Sequence, residues 1–404
     1  MYYIVRTDKY ISAFYYVRQR GIVQRVYLKG RWQAEKVIAK DSRENFTIHL
    51  EDDNLYLFCQ DSDGDIISVT INASNDSIVH KVMLKNQSGQ VSDVYLHPIV
   101  SEEGLSIIYN ATNPDDNSNS IMMRNNHNNG EWSHASQIGK CQPGDFEVQR
   151  ISGEHMLLFY QKRTPDNVLG YKEVTPNKQG KFNAYYTTSH VVSDHSCLTT
   201  DNDIHVIFVI KGMFSSQLIY RRNVTGEFSV PLLICEAKNI DQCLLFFVEN
   251  TLYITFLTSG NLFMCKSNDK GETFSKPERY LNKFCQNPEK AYFISQIEQS
   301  ESSMYLRQLY VDPSCAWDVQ LIPELFEDFF PVCSETTDNT ESHEVDPDQL
   351  DEVERLKNQI AQLQKHTFEK DMQIMELMQQ ISKQNEEIAN VNHRLMAFAS
   401  QEKP

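Results

Sequence analysis

Two short stretches of this chain combine residue types that could do chemistry. Ser267-Asn268-Asp269-Lys270-Gly271-Glu272-Thr273-Phe274 joins hydroxyl, carboxylate and glycine at alternate positions. Ser and Asp side chains bond nearby backbone amides and Gly supplies a positive φ, so the pattern predicts a side-chain-capped turn. In "QDSDGDI", Asp61, Asp63 and Asp65 alternate as the ligands of a calcium loop do. Ile66, however, stands where that loop needs Gly, and Asn72 where it needs a bidentate Glu. A hairpin turn built on the Asp63-Gly64 step fits better.

Other chemical signatures are missing from the sequence. The twelve histidines form no H-x-x-x-H or H-E-x-x-H pair, and there is no G-x-S-x-G, P-loop or G-x-G-x-x-G pattern. Nine cysteines, an odd number without a C-x-x-C pair, suggest neither a zinc site nor a disulfide framework, and reduced, buried thiols are expected. No catalytic residue, metal or cofactor is therefore expected.

The elements that must position these residues are mostly strands. Forty Tyr and Phe against 15 Gly favour packed pleated faces over a helical bundle. The net charge of −17 is uneven, because fourteen Asp and Glu lie between Asp312 and Glu354, with no Lys or Arg from Gln308 to Glu354. A field of that sign repels a phosphate backbone, so nucleic acid is not an expected partner. The N-terminal "MYYIVRTDKY" lacks a basic region followed by an apolar one, and no run of about 18 apolar residues occurs. No membrane span and a cytoplasmic location are expected. The six N-x-[ST] sequons, at Asn45, Asn72, Asn75, Asn86, Asn110 and Asn223, are read as chance in an Asn-rich chain.

A repeat of nearly 47 residues organises the first three quarters of the chain. Apolar strands begin near Ile11, Leu55, Leu105, Met156, Ile204, Leu252 and Ala291, each followed by a turn and a second strand. A Gly-x-aromatic step recurs in phase at Gly30/Trp32, Gly130/Trp132, Gly180/Phe182, Gly226/Phe228 and, one residue longer, Gly271/Phe274, with Ile78 and Trp317 in the remaining slots. That period matches a four-stranded propeller blade. Seven slots predict an all-β, seven-bladed β-propeller over residues 1–324; six blades with an extra sheet is the alternative. The in-phase aromatics are expected to pack between blades.

In this setting the stretch from Ser267 to Phe274 resembles the Asp-box, or BNR repeat, of sialidase-like β-propellers, S-x-D-x-G-x-T-W, with Phe274 in place of Trp. In that family the box occupies the turn between the third and fourth strands of a blade, so Ser267, Asp269, Gly271, Thr273 and Phe274 are expected to be structural. Sialidase-like enzymes hydrolyse sialosides with three arginines, a Tyr nucleophile primed by Glu and an Asp acid/base. Ile4-Val5-Arg6-Thr7 lacks the Ile and Pro that follow arginine in the family's first motif, and Arg124, Arg163, Arg221 and Arg307 carry no motif that would place them in a triad. The resemblance therefore transfers no catalytic residue.

Beyond the repeat, residues 325–348 read as an acidic linker and 349–399 as a coiled coil. Val353, Ile360, Thr367, Ile374, Ile381, Ile388 and Leu395 take position a of a heptad, with Leu356, Leu363, Lys370, Leu377, Gln384, Val391 and Phe398 at d. Such a seam predicts self-association as a parallel dimer, or a trimer. The expected function is a non-enzymatic, oligomeric binding or scaffolding protein whose propeller takes a protein or glycan ligand; the alternative is a sialidase-like glycoside hydrolase.

Overall fold

The computed structural model describes Met1 to Val311 apart from residues 8, 29–30, 52–53, 73–76, 87–92, 102–103, 113–118, 128–130, 142–145, 153–154, 164–165, 201–202, 225, 281–287, 297–299 and 301–302. Trp317, the acidic linker and the heptads from Val353 to Leu395 lie outside the described residues. The chain divides into two compact units, Met1–Ser334 and Glu335–Pro404, and every described residue belongs to the first.

Six sheets follow one another along the chain, each built on an antiparallel meander of consecutive strands. Sheet two comprises Ser42–Glu51, Asn54–Asp61, Ile66–Asn72 and Ile78–Leu84; sheet three comprises Leu96–Ser101, Gly104–Thr112, Asn119–His127 and Ser136–Cys141. Sheet four runs Phe146–Ser152, His155–Arg163, Asn167–Val174 and Gln179–Thr188, and sheet five Val191–Thr199, Ile204–Lys211, Ser216–Asn223 and Leu232–Ala237. Sheet six holds Gln242–Val248, Thr251–Thr258, Asn261–Ser267 and Glu278–Arg279. Sheet one starts from the N-terminus with Tyr2–Arg6, Ile11–Val17 and Gly21–Leu28, the last of which pairs both Arg31–Trp32 and Lys36–Ala39. Among the described residues no helix is long and apolar enough to cross a membrane.

Side chains alternate across a strand, so neighbours in sequence feed opposite faces. That rule, applied to continuous apolar runs, produces a separate core at every seam. Leu57 packs toward sheet one and Phe58 toward sheet three; Leu158 packs toward sheet three and Phe159 toward sheet five. Phe208 and Ile207 divide in the same way between the seams with sheets four and six, and Phe247 and Phe246 between the seams with sheets five and one. The last seam, holding Ile4, Ala13, Phe246 and Val248, joins sheet six back to sheet one and closes the ring. The protein is thus an all-β, six-bladed β-propeller. Its in-phase landmarks Trp32, Ile78, Trp132, Phe182, Phe228 and Phe274 each join the core shared with the preceding sheet.

The expectation of seven blades is corrected here. The seventh apolar repeat folds as Glu289–Ser295, and no sheet of its own forms around it among the described residues. Glu289–Ser295 pairs in parallel with Tyr2–Arg6, from Tyr3 against Tyr292 to Arg6 against Ser295, and Gln308–Val311 pairs with it on the other side. Met304–Tyr305 adds to Gln242–Val248 of sheet six. The physical reason is the free edge of Tyr2–Arg6: its unpaired amides and carbonyls are satisfied by the returning strand. Ala291, Phe293, Leu306 and Leu309 bring their apolar surface into the closing core, and residues 289–311 clasp the first sheet to the last.

Candidate functional site

The turn from Ser267 to Phe274 lies between the third and fourth strands of sheet six. Asp269 organises it: its Oδ1 accepts from the Ser267 hydroxyl at 2.6 Å and the Thr273 amide at 2.9 Å, and its Oδ2 accepts from the Thr273 hydroxyl at 2.5 Å. The Ser267 oxygen in turn accepts from the Gly271 amide at 2.8 Å. These donors favour the ionised form, led by Ser267 and then Thr273, and hold the Asp269 carboxyl well below the usual range. Gly271 sits at φ 94°, and a Cβ there would lie 1.9 Å from the Tyr220 hydroxyl of sheet five. Phe274 meets the same Tyr220 ring edge-on at 4.9 Å. Ser267, Asp269, Gly271 and Thr273 thus bond to one another, and through Gly271 and Phe274 the turn braces the seam with Tyr220 of sheet five.

The "QDSDGDI" stretch is likewise a turn between two strands of sheet two. Asp61 Oδ1 accepts from the Asp63 and Asp65 amides at 3.0 and 2.8 Å, and Asp65 Oδ1 accepts from the Asn86 amide at 2.7 Å. Among the described cysteines, Cys59, Cys197, Cys243 and Cys265 are buried thiols and Cys235 is partly exposed.

A different place gathers uncommitted charge. Between sheets three and four, Gln137, Ile138, Gly139 and Lys140 form one wall of a groove of about 530 Å³, and Tyr160, Lys162, Lys172 and Phe182 form its floor and other wall. Lys162 Nζ stands 3.7 Å above the centre of the Phe182 ring, which packs on Tyr160 at 4.9 Å. Lys172 Nζ crosses the seam to donate to the Ile138 carbonyl at 2.9 Å and to Gln179 Oε1 at 3.1 Å. Burial, and then the neighbouring charge of Lys162, push the Lys172 amine below its ordinary value. Among the described residues none of Lys140, Lys162 and Lys172 has a carboxylate partner. Three ammonium groups thus share one groove without neutralisation, over an aromatic floor.

No family model matches the chain, and no curated protein matches it. Solved structures similar to it include a fungal six-bladed lectin from Aleuria aurantia, 13% identical over 68% of this chain and 95% of that one, TM-score 0.41. Another is AofleA from Arthrobotrys oligospora, 12% identical over 69% and 85%, TM-score 0.41; a third is a polysaccharide lyase described as an ulvan lyase, 11% identical over 69% and 78%, TM-score 0.43. Likeness at this level identifies neither a ligand nor a reaction, and the six-bladed ring rests on its own strand pairing.

Several arginines considered for a carboxylate-binding triad have structural partners. Arg221 donates to the carbonyls of Ser229, Phe228 and Tyr185, stitching sheet five to sheet four. Arg307 donates to the Arg150 carbonyl at 3.3 Å, and Arg124 lies in sheet three with a buried Nε. On the inner strand of sheet five, Asp194 pairs with Lys290 of the returning strand at 2.6 Å and accepts from the Cys243 amide at 2.7 Å. No local sequence pattern marks the groove: Lys140, Lys162 and Lys172 come from three strands of two sheets, and only the register brings them together.

Proposed function

We propose that the protein is a non-catalytic, multivalent binding protein whose propeller takes an acidic saccharide in the groove between sheets three and four. The observation that carries this reading is the cluster of Lys140, Lys162 and Lys172, without a carboxylate partner among the described residues, in a chain of net charge −17. An uncompensated cationic cluster in an acidic protein favours an anionic guest, and ammonium groups suit carboxylate or sulfate. Tyr160 and Phe182 add an apolar face of the kind on which the C–H face of a pyranose ring packs. The groove's volume falls in the usual range for small-ligand sites. Self-association through the heptads of residues 353–395 completes the proposal.

The test is binding of the full-length protein to immobilised neutral, uronic-acid, sialylated and sulfated oligosaccharides, at low and high salt. Acidic saccharides should be retained and neutral ones not, with affinity falling as salt rises. The double variant Lys140→Gln/Lys162→Gln should lose at least about tenfold, equivalent to about 1.4 kcal/mol. Lack of binding by any acidic saccharide, or equal binding by the variant, overturns the groove; release of product from a fluorogenic sialoside overturns the non-catalytic reading.

A further inference from the structure

A second cluster lies apart from the groove, where the first strands of sheets four and five run side by side. Side chains two residues apart on a strand share a face, and two such pairs meet here. Glu147 and Gln149 belong to Phe146–Ser152, and His195 and Cys197 to Val191–Thr199. Gln149 fixes the pairing of the two strands. Its Nε2 donates to Glu147 Oε1 and to the Cys197 carbonyl, each at 2.6 Å, while its Oε1 accepts from the Thr199 amide at 2.9 Å.

One carboxylate oxygen of Glu147, one imidazole nitrogen of His195 and the Cys197 sulfur all lie within 4.8 Å of one another. The His195 ring makes no hydrogen bond among the described residues, while its backbone carbonyl accepts from Lys290 at 3.3 Å. Two cations act on Glu147: Arg307, which donates to the Arg150 carbonyl at 3.3 Å, and Lys290, which is paired with Asp194 at 2.6 and 2.8 Å.

We propose that Glu147, His195 and Cys197 form a zinc site that staples sheet four to sheet five, with water as the fourth ligand. Thiolate, imidazole and carboxylate together are a zinc donor set, and three protein ligands leave one position open. At bond lengths of about 2.0 to 2.3 Å the donors of a tetrahedral ion stand roughly 3.5 Å apart, so closure asks for shifts of about 1 Å. Rotation of the partly exposed Glu147 and His195 side chains supplies them.

The experiment uses the full-length protein, stripped with chelator and titrated with Co²⁺ and then Zn²⁺. One Co²⁺ per chain should bind, with a thiolate-to-cobalt charge-transfer band in the near ultraviolet that Zn²⁺ abolishes. Cys197→Ser should lose the band while keeping the far-ultraviolet dichroism of a β protein. His195→Gln retains the thiol and tests the site if Cys197→Ser fails to fold: it should keep the band but weaken Co²⁺ binding at least tenfold. The proposal is overturned if the wild-type protein binds no stoichiometric Co²⁺, if the band survives in folded Cys197→Ser, or if His195→Gln binds Co²⁺ as tightly as wild type.

Discussion

Gly271 and Gly226 have nearly the same backbone, φ 94° and 93°, and open surroundings surround only one of them. A Cβ at Gly226 meets nothing within 4 Å, whereas one at Gly271 would strike the Tyr220 hydroxyl. That hydroxyl is at the end of a side chain, yet it cannot swing away freely, because Tyr220 is 1% exposed and bonded to His205 Nδ1 at 2.7 Å. Gly226→Ala should therefore cost only the strain of an L residue at positive φ, about 1 kcal/mol. Gly271→Ala adds displacement of a buried ring and should cost about 2 kcal/mol more. Urea unfolding of both variants measures the difference, and equal midpoints would show that Tyr220 yields without penalty. The sequence carried the turn chemistry of Ser267 to Thr273 openly, since Asp269 acts within four residues. It carried no trace of Tyr220, which reaches the turn from another sheet.

At the level of the strand, periodicity distinguishes a packed strand from a solvated one but not the part that strand plays. The first strands of the sheets, such as Phe146–Ser152 and Gln242–Val248, and their following hairpins were legible as alternating apolar segments. Glu289–Ser295 carries the same alternation, with Ala291 and Phe293 buried, and so reads as the heart of a seventh blade. Parallel pairing with Tyr2–Arg6 across almost the whole propeller has no local code, because it depends on where the ring brings the two ends. The same limit hid the lysine groove and the Glu147, His195 and Cys197 cluster, each split between neighbouring sheets. If residues 289–311 are the clasp, Phe293→Ala should lower stability as a buried core truncation does, by about 3 to 5 kcal/mol. A denaturant midpoint within error of wild type would mean that the ring closes without them.

For the whole molecule, charge and valency act together. Fourteen acidic residues lie between Asp312 and Glu354, which leaves the rest of the chain close to neutral and lets the cationic groove keep its own local field. On the proposed reading, pairing of the chains through Ile374, Ile381 and their heptad partners would raise the effective concentration of the second groove at a saccharide-coated surface. The full-length protein should therefore sediment as a dimer or trimer at micromolar concentration, and Ile374→Asp/Ile381→Asp as a monomer, because two charges in the apolar seam cannot be solvated there. Affinity for a soluble monovalent acidic oligosaccharide should be the same for both proteins. Retention on a surface coated with that saccharide should fall by about 10² to 10⁴ in the monomer. A wild-type chain that sediments alone at micromolar concentration, or a monomeric variant retained as strongly as wild type, would remove multivalency from the reading and leave a single-site propeller.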